Sequence, residues 1–422
     1  MRPFAPSKRS KRQNLHVQRA QLPMRTGREL VFLCVLLISL NVRPLWGQVG
    51  NDNPTGPSGI FNGNLENTGV DPWTANAIRS ITDISVAGAV GAYPLALVRT
   101  ANSRAPSTTE VFGFAGGWNH NYNWIMEDST HRNNTNYPTS YTVDFPDGRV
   151  ETFTQVNWDT VAYRVRATNG NADSSAGVRE RLVPIYQQSG NLYADLILPD
   201  GGKVHFQAWL HTDVNGRYFY RFRAIAIIDP YGLTTTLQWE VVGPQNNRHA
   251  RLAWVIEPAG RYLHFLYTGP NSWRIDHVDA SDGRTVQYYY QYCPSSSCQL
   301  SQVRYYNNPA WDAHYQYTGP NVGDNSPPLL KTCDDPMFAG PMKRISYEYK
   351  TGTNDDGTGA VYGQVYKVRY WDGVSGHENS GAVVSTLAVG SPNNNRVYRT
   401  ETRGDGATRT FIYNGAGDGY LA

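Results

Sequence analysis

From about residue 140 onward the chain lacks any run of apolar residues at helical spacing, and its 40 glycines and 25 prolines recur too often for uninterrupted helices. A body built from long helices is thereby excluded. Also missing are a Gly-x-Ser-x-Gly elbow, a His-Glu-x-x-His helix and a phosphate-cradling loop, so no common enzyme signature is present. A basic stripe is absent from the body as well. The net charge of +3 comes from Lys8, Arg9, Lys11, Arg12, Arg19, Arg25 and Arg28, all near the N-terminus, and the remainder is close to neutral. No nucleic-acid partner is expected. Cysteine is scarce, with four in 422 residues. Cys34 lies in an apolar leader, and Cys293 and Cys298 have no second pair at ligand spacing, which argues against zinc. The pair is a disulfide candidate instead, closing a loop between two strands for a gain of about 2 kcal/mol. Two unpaired thiols in a polar loop are the alternative.

What the chain does have is repetition. A short apolar stretch, an Asp/Pro/Gly turn, often a basic residue, and a Tyr/Phe/Trp-rich stretch return along it. The clearest copy spans residues 273–290, with its turn at Asp282-Gly283-Arg284. Others surround Asp147-Gly148 (141–153), Asp200-Gly201 (196–206), Tyr231-Gly232 (227–239) and the turn ending in Gly260 (255–267). Degenerate copies follow at 300–317, 343–349, 365–371 and 397–413. Asp-Gly between β-prone runs predicts hairpins closed by tight primed turns, because Gly, and less readily Asp, tolerates positive φ. Alternation in 285–290 and 261–267 places every second residue on one sheet face. The expected fold class is all-β: serial antiparallel hairpins in one sheet, each unit buried mainly against its neighbours. With 28 Tyr against 13 Phe, one face of that sheet is expected to be wet or semi-polar.

Upstream of the repeats, basic residues precede an apolar core at 30–42, followed by Pro44 and Gly47. That is the order of a secretory signal, with a core too short to span a bilayer comfortably. Residues 1–47 therefore read as a signal peptide, with Met24 as a possible true start, and secretion or surface display is expected. Anchoring in a membrane by an uncleaved leader is the alternative. Residues 48–79 read as a Gly/Asn/Pro-rich lead-in, 80–130 as a front module, and 131–422 as the repeat array.

The front module carries a resemblance. Pro94-Leu95, Arg99 and Asn102-Ser103-Arg104, followed by Gly117-Trp118-Asn119-His120-Asn121-Tyr122, resemble the N-terminal module of bacterial RHS/YD-repeat proteins. The Asp-Gly-Arg…Tyr-Tyr units resemble their repeats, and together the two cover roughly residues 80–420. The resemblance implies a strand ribbon spiralling into a hollow shell, secreted or surface-exposed, often enclosing a variable C-terminal toxin domain. This sequence departs from that pattern by stopping at 415–422 in what reads as mid-repeat, with no closing segment, paired-aspartate self-cleavage core or toxin. An open or incomplete shell is expected, with a terminal edge near 409–413 left unpaired.

Candidate chemistry is sparse. Asp334-Asp335 and Asp355-Asp356 are adjacent carboxylates in Gly/Pro-rich loops, expected to face solvent rather than do acid/base work. Residues 354–359 have a calcium-loop flavour without the full ligand ladder. His120, between Trp118 and Tyr122, reads as a corner that bonds backbone and packs a hairpin. Trp209, Trp239, Trp254, Trp273, Trp311 and Trp371 could stack on sugar rings, but packing between repeat units is the favoured reading. No catalytic, cofactor-binding or metal-binding residue is assigned, and no cofactor is expected. The first functional reading is a non-catalytic scaffold, a shell segment partnered by a C-terminal effector or a downstream shell segment. The alternative is an adhesin or carbohydrate-binding module that recognises a surface glycan.

Overall fold

The computed structural model describes residues 69–72, 75–103, 111–128, 140–148, 150–154, 164–165, 180–183, 186–189, 191–212, 218–242, 249–291, 298–318, 328–338, 340–350, 363–393 and 396–414. The leader expected at 1–47 lies outside them, as do Arg104, Cys293 and the 354–359 loop. The described residues form strands and two short 3-10 turns, Pro309–Trp311 and Gly340–Lys343, with no α-helix among them.

Three strands, β1 (Ile78–Ser85), β2 (Ala96–Asn102) and β3 (Asn119–His120), make a small antiparallel sheet in that order. Val70 and Ala75 are already fully buried, so the packed module begins inside the segment read as lead-in. A large sheet takes the rest. Its first strands are β4 (Ile125–Asp128), β5 (Ser140–Asp144), β6 (Val150–Thr154), β7 (Arg164–Val165), β8 (Arg181–Leu182), β9 (Tyr186–Gln188), β10 (Asn191–Ile197), β11 (Lys203–Thr212) and β12 (Tyr218–Ile228). Then come β13 (Thr234–Val242), β14 (His249–Ile256), β15 (Tyr262–Tyr267), β16 (Ile275–Ala280), β17 (Thr285–Gln291), β18 (Gln299–Tyr305), β19 (Ala313–Tyr317) and β20 (Leu330–Asp334). The last are β21 (Arg344–Tyr349), β22 (Val365–Tyr370), β23 (Val383–Asn393), β24 (Arg396–Arg403) and β25 (Thr408–Asn414).

From β12 to β25 every strand pairs antiparallel with its neighbours in sequence, the serial-hairpin order expected from the repeats. The pairing turns back on itself at β12. One edge of β12 pairs β11; on the other, Arg221, Phe222 and Arg223 pair β4 while Ala226, Ile227 and Ile228 pair β13. That closure is local: among the described residues β25 pairs only β24, so the sheet remains open rather than a barrel.

The hairpin turns differ from the expectation of primed two-residue loops. In six of them the residue opening the turn accepts a hydrogen bond from the Gly three positions on: Phe145–Gly148, Leu198–Gly201, Asp229–Gly232, Glu257–Gly260, Ala280–Gly283 and Arg403–Gly406. Only the Gly has positive φ, between 85° and 91°. The geometry is that of a type I turn followed by a left-handed residue, a three-residue hairpin loop. Pro146, Pro199, Pro230 and Pro258 explain the choice: Pro fixes φ near −65° and suits the second position of a type I turn, where a primed turn needs positive φ.

Side chains alternate as the strand period requires. In β17 Val286 and Tyr288 are buried while Gln287 and Tyr289 are partly exposed; in β11 Val204 and Phe206 are buried while His205 and Gln207 are not. The buried row packs with Ile81, Ile84, Leu97, Phe112 and Trp118 in one core.

A second pattern binds strand to strand. Trp239, Tyr267, Tyr290, Tyr317 and Tyr349 each stand at a register shift. Each reaches back 15 to 19 residues to a carbonyl of the preceding strand: Trp239 to Ala224, Tyr267 to Leu252, Tyr290 to Ile275 and Tyr349 to Leu330 at 2.6 Å, and Tyr317 to Leu300 at 2.7 Å. The acceptors Leu252, Ile275, Leu300 and Leu330 are themselves the ladder partners of Trp239, Tyr267, Tyr290 and Tyr317. A continuous stitch thus crosses the sheet. A bulge disrupts the regular ladder, and an unsatisfied buried carbonyl costs about 1–3 kcal/mol; the aromatic N–H or O–H supplies the missing donor.

Candidate functional site

A buried polar cluster joins the small sheet to the large one. Arg99 of β2 and Asp83 of β1 are both fully buried and paired two-fold, Nε to Oδ2 at 2.9 Å and Nη2 to Oδ1 at 3.1 Å. Tyr288 and Tyr305, more than 200 residues away, donate to Asp83 at 2.8 and 3.0 Å. Tyr315 accepts from Arg99 at 3.0 Å and donates to Asp335 at 3.0 Å. The guanidinium also lies 4.3 Å from the centre of the Trp118 ring. Burial works against the charged guanidinium, but Asp83 with Tyr315 and Tyr305 outweighs it, holding Arg99 well above its ordinary value. A buried ion pair persists only when its remaining lone pairs and protons are bonded too, and the three phenols do this for Asp83 and most of Arg99. Arg99 Nη1 alone has no hydrogen-bond partner.

The adjoining motif is equally internal. Asn121 accepts from the Val98 N–H and donates to the Ala96 carbonyl, both at 2.9 Å, so its amide stands in for a strand beside β2. Tyr122 Oη accepts from the Ala96 N–H at 3.2 Å, and burial pushes its pKa up to about 12. His120 is buried between Phe112 and Phe265, with Nδ1 accepting from the Tyr122 N–H at 3.3 Å. Desolvation, reinforced by Arg223, lowers its pKa to about 3, leaving a neutral imidazole.

The hairpin tips meet this same module. Asn102 donates to the Asp147 carbonyl at 3.0 Å, Tyr93 to Asp200 Oδ2 at 2.6 Å, the Ala92 N–H to Asp229 Oδ2 at 2.7 Å and the Val90 N–H to Glu257 Oε2 at 3.0 Å. Arg284 donates to the Ser85 carbonyl. Five successive repeat turns are therefore bonded to β1, β2 and the loop joining them. In most turns the acidic residue sits third and bonds its own backbone, as Asp200 Oδ1 does with the Gly202 N–H. In the two tips that face the Gly-rich loop it sits first, as Asp229 and Glu257, and both are almost fully buried. Desolvation raises each carboxyl's pKa, but backbone N–H groups more than offset it: Ala92, Leu233, Tyr231 and Gly232 for Asp229, and Ala259, Val90 and Arg261 for Glu257. Both titrate below their ordinary range.

The other edge of the ribbon is held as well. Phe114 donates to the Cys298 carbonyl at 2.8 Å, Gly116 to Pro328 at 2.8 Å, Ile275 to Val111 at 3.0 Å and Val365 to Ala75 at 2.8 Å, all backbone to backbone. Ser103 Oγ donates to the Gly363 carbonyl at 2.6 Å. Trp118 donates to Tyr317 Oη at 2.8 Å, joining the module to the aromatic stitch.

Of the sequence-selected residues, Leu95, Arg99, Asn102, Ser103, Trp118, His120 and Tyr122 are buried in the module, whereas Pro94 is exposed and Gly117 is half-buried at φ 58°. Gly148, Gly201, Gly232, Gly260 and Gly283 occupy the left-handed turn position. Cys298 is buried and disulfide-bonded. Asp335 departs from expectation: rather than facing solvent it is fully buried, accepting from Tyr315 and from the Met337 N–H, and desolvation raises its pKa. Its neighbour Asp334 pairs with Arg344 at 3.1 Å. Sequence reasoning missed Asp83, Asp229, Glu257 and Tyr93. The signal available was the acidic residue shifting from third to first place in two consecutive turns. Of the six tryptophans, Trp371 is buried, Trp209, Trp239, Trp254 and Trp273 are half-buried, and Trp311 is 47% exposed with its ring edge-on to Tyr306. A cavity of about 10 Å³, lined in part by Arg79, Ser103, Tyr347 and Tyr349, has room for about one water. Among the described residues no three His, Cys, Asp or Glu side chains are grouped to hold a metal ion.

No family model matches the chain, and no curated protein matches it. Among solved structures it is similar to a crystal structure of TcdB2-TccC3-Cdc42, with TM-score 0.35 and 14% identity over 78% of this chain and 18% of that one. It is similar also to the Photorhabdus luminescens Tc holotoxin pore, with TM-score 0.39 and 14% identity over 86% of this chain and 21% of that one. The N-terminal domain of effector protein SpvB from Salmonella typhimurium strain LT2 gives TM-score 0.30 and 13% identity over 68% of this chain and 98% of that one. The chain spans about a fifth of the length of the first two.

Proposed function

We propose that this chain is a non-catalytic wall of an RHS/YD-repeat type scaffold, secreted or displayed at a cell surface, that encloses or presents a C-terminal effector. The observation that carries the reading is the bonding of five successive hairpin tips to one front module. That arrangement fixes a curtain of paired strands from one end and spends its polar groups internally. Arg99, Asp83, Asp335 and His120, the groups that would have to carry chemistry, are buried and bonded to other parts of the wall. The disulfide at Cys298 supports an oxidising destination, in keeping with the leader read from the sequence. The glycan-binding alternative has less behind it, since five of its six candidate tryptophans are half-buried or buried.

The test is the natural gene product. The reading frame beyond residue 422 is determined, the continuous polypeptide is expressed, and limited proteolysis is followed by mass spectrometry. Enclosure predicts a downstream domain cut far more slowly than the same domain made alone. A frame that ends at 422, or a downstream domain cut equally fast in both forms, overturns the reading.

A further inference from the structure

The large sheet forks along one edge of β12. There Ala226 pairs Thr236 of β13, and continuing that antiparallel ladder would set Trp239 opposite Arg223. Ile125 of β4 takes the place instead, and among the described residues β13 pairs only β14 from Leu237 onward. β4 and β13 are therefore the two sides of a fork, with Arg223 at its base. Trp239 leans back across the gap: its Nε1 donates to the Ala224 carbonyl at 2.6 Å, and its ring centre lies 5.3 Å from the Arg223 guanidinium.

Arg223 is a buried cation without a counter-ion. It is only 6% exposed. Among the described residues its one hydrogen bond runs from Nη1 to Asn123 Oδ1 at 3.1 Å, it forms no ion pair, and Nε has no hydrogen-bond partner. The nearby carboxylate of Glu127 is engaged with Arg221. Arg99, the other fully buried arginine described above, is matched two-fold by Asp83; Arg223 has no such match. Burial, with Arg221 alongside, lowers its pKa to about 10 against the opposing pull of Glu127 and Asp144. A buried charge left unpaired is strongly unfavourable, so a ligand that supplies the missing charge is favoured there.

We propose that Arg223 anchors a binding site for a small carboxylate, which enters the fork between β4 and β13 and pairs two-fold with the Nε–Nη2 edge of the guanidinium. Two parallel N–H groups match the two oxygens of a carboxylate. Asn123 holds Nη1 on the far side and the Trp239 ring packs against the guanidinium, so the donor edge is fixed in advance, which lowers the ordering cost of binding. The charge count selects a monoanion: one uncompensated cation is present, and Arg221 is already paired with Glu127.

The probe is sodium acetate, titrated against the whole chain at constant ionic strength with sodium chloride as balance, and acetamide serves as the neutral isostere. A ligand that binds only the folded chain raises its unfolding midpoint. A saturable rise of at least about 2 °C is expected with acetate and none with acetamide. Arg223→Met should abolish the acetate response while remaining at least as stable as the parent in chloride, because it removes the unpaired charge. Saturation-transfer NMR on the acetate methyl, lost when excess formate competes, reads the contact in the parent without a variant. A midpoint no higher in acetate than in chloride, an equal rise with acetamide, a response kept in Arg223→Met, or an absent NMR transfer overturns the proposal.

Discussion

Tyr290 donates its hydroxyl to the carbonyl of Ile275 at 2.6 Å, and Ile275 in turn is the ladder partner of Tyr267 one hairpin earlier. Because the same step recurs from Trp239 to Tyr349, each hairpin is fastened to the last by a side chain as well as by its ladder. Burial pushes the Tyr290 hydroxyl well above its ordinary pKa, so it remains a donor across the accessible pH range. Tyr290→Phe is expected to destabilise the chain by about 1–2 kcal/mol, the cost of a buried carbonyl left without its donor. Urea denaturation of the two proteins measures it, and a midpoint unchanged within error would remove the stitch as a source of stability.

The Arg99–Asp83 pair makes a sharper test of the module. Arg99→Met leaves Asp83 buried with two phenols but no cation, and a loss of about 3–5 kcal/mol is expected. Adding Asp83→Leu to that variant should recover part of the loss, because no uncompensated charge then remains. A double variant no more stable than Arg99→Met would show that the pair is not coupled.

His120 ties stability to pH. Its pKa is lowered from 6.5 to about 3 in the folded chain, so between those values the unfolded state binds a proton that the folded state does not. Stability from this group is complete above pH 6.5 and is lost as pH falls, with a slope of about 1.4 kcal/mol per pH unit. His120→Phe should flatten the denaturation midpoint between pH 6.5 and pH 5 relative to the parent. Parallel curves for the two proteins would contradict a buried neutral imidazole.

Asp229 and Glu257 act lower in pH. Their folded pKa values lie below the ordinary carboxylate range, so the stability they give is present above the unfolded values and lost as pH falls through the folded ones. Asp229→Asn should loosen the loop around Ala92 at neutral pH and make little difference in strong acid. Hydrogen exchange of the 88–93 segment, compared between the two proteins at each pH, reads this directly.

The repeat turns separate two uses of glycine. Gly283 has φ 85° and open space around the Cβ position, so Gly283→Ala should cost about 1–2 kcal/mol from backbone conformation alone. At Gly113 a Cβ would stand 2.3 Å from the Cys298 carbonyl oxygen, so Gly113→Ala should cost more, through displacement of the module from the start of β18. Equal melting shifts for the two variants would contradict this distinction.

The strand order was legible because Asp-Gly and Pro-x-Gly turns punctuate β-prone runs, and hairpin order follows from such local signals. The turn type was not, since Asp-Gly suits both a primed turn and the end of a type I turn, and only the preceding Pro or Ser decides between them. Arg99 was legible as part of a motif, but its partners were not: Asp83 is 16 positions away and Tyr315 is 216. Contacts across that separation are set by how the small sheet sits on the large one, which no local pattern records. Asp335 was misread for the same reason, its burial depending on strands far upstream. The aromatic stitch left a trace in Tyr-rich strand ends, but its reach drifts from 15 to 19 residues and no fixed period exposes it.

The front module holds the hairpin tips together through its bonds to Asp147, Asp200, Asp229, Glu257 and Arg284, and hydrogen exchange of the whole chain with and without Arg99→Met tests this most directly. The module's release should speed exchange together in the 88–93 loop, in β17 to β19, and at the tips around Asp200, Asp229 and Glu257. Acceleration confined to β1 and β2, with those tips exchanging as in the parent, would show that the ribbon holds itself and that the module only rests on it.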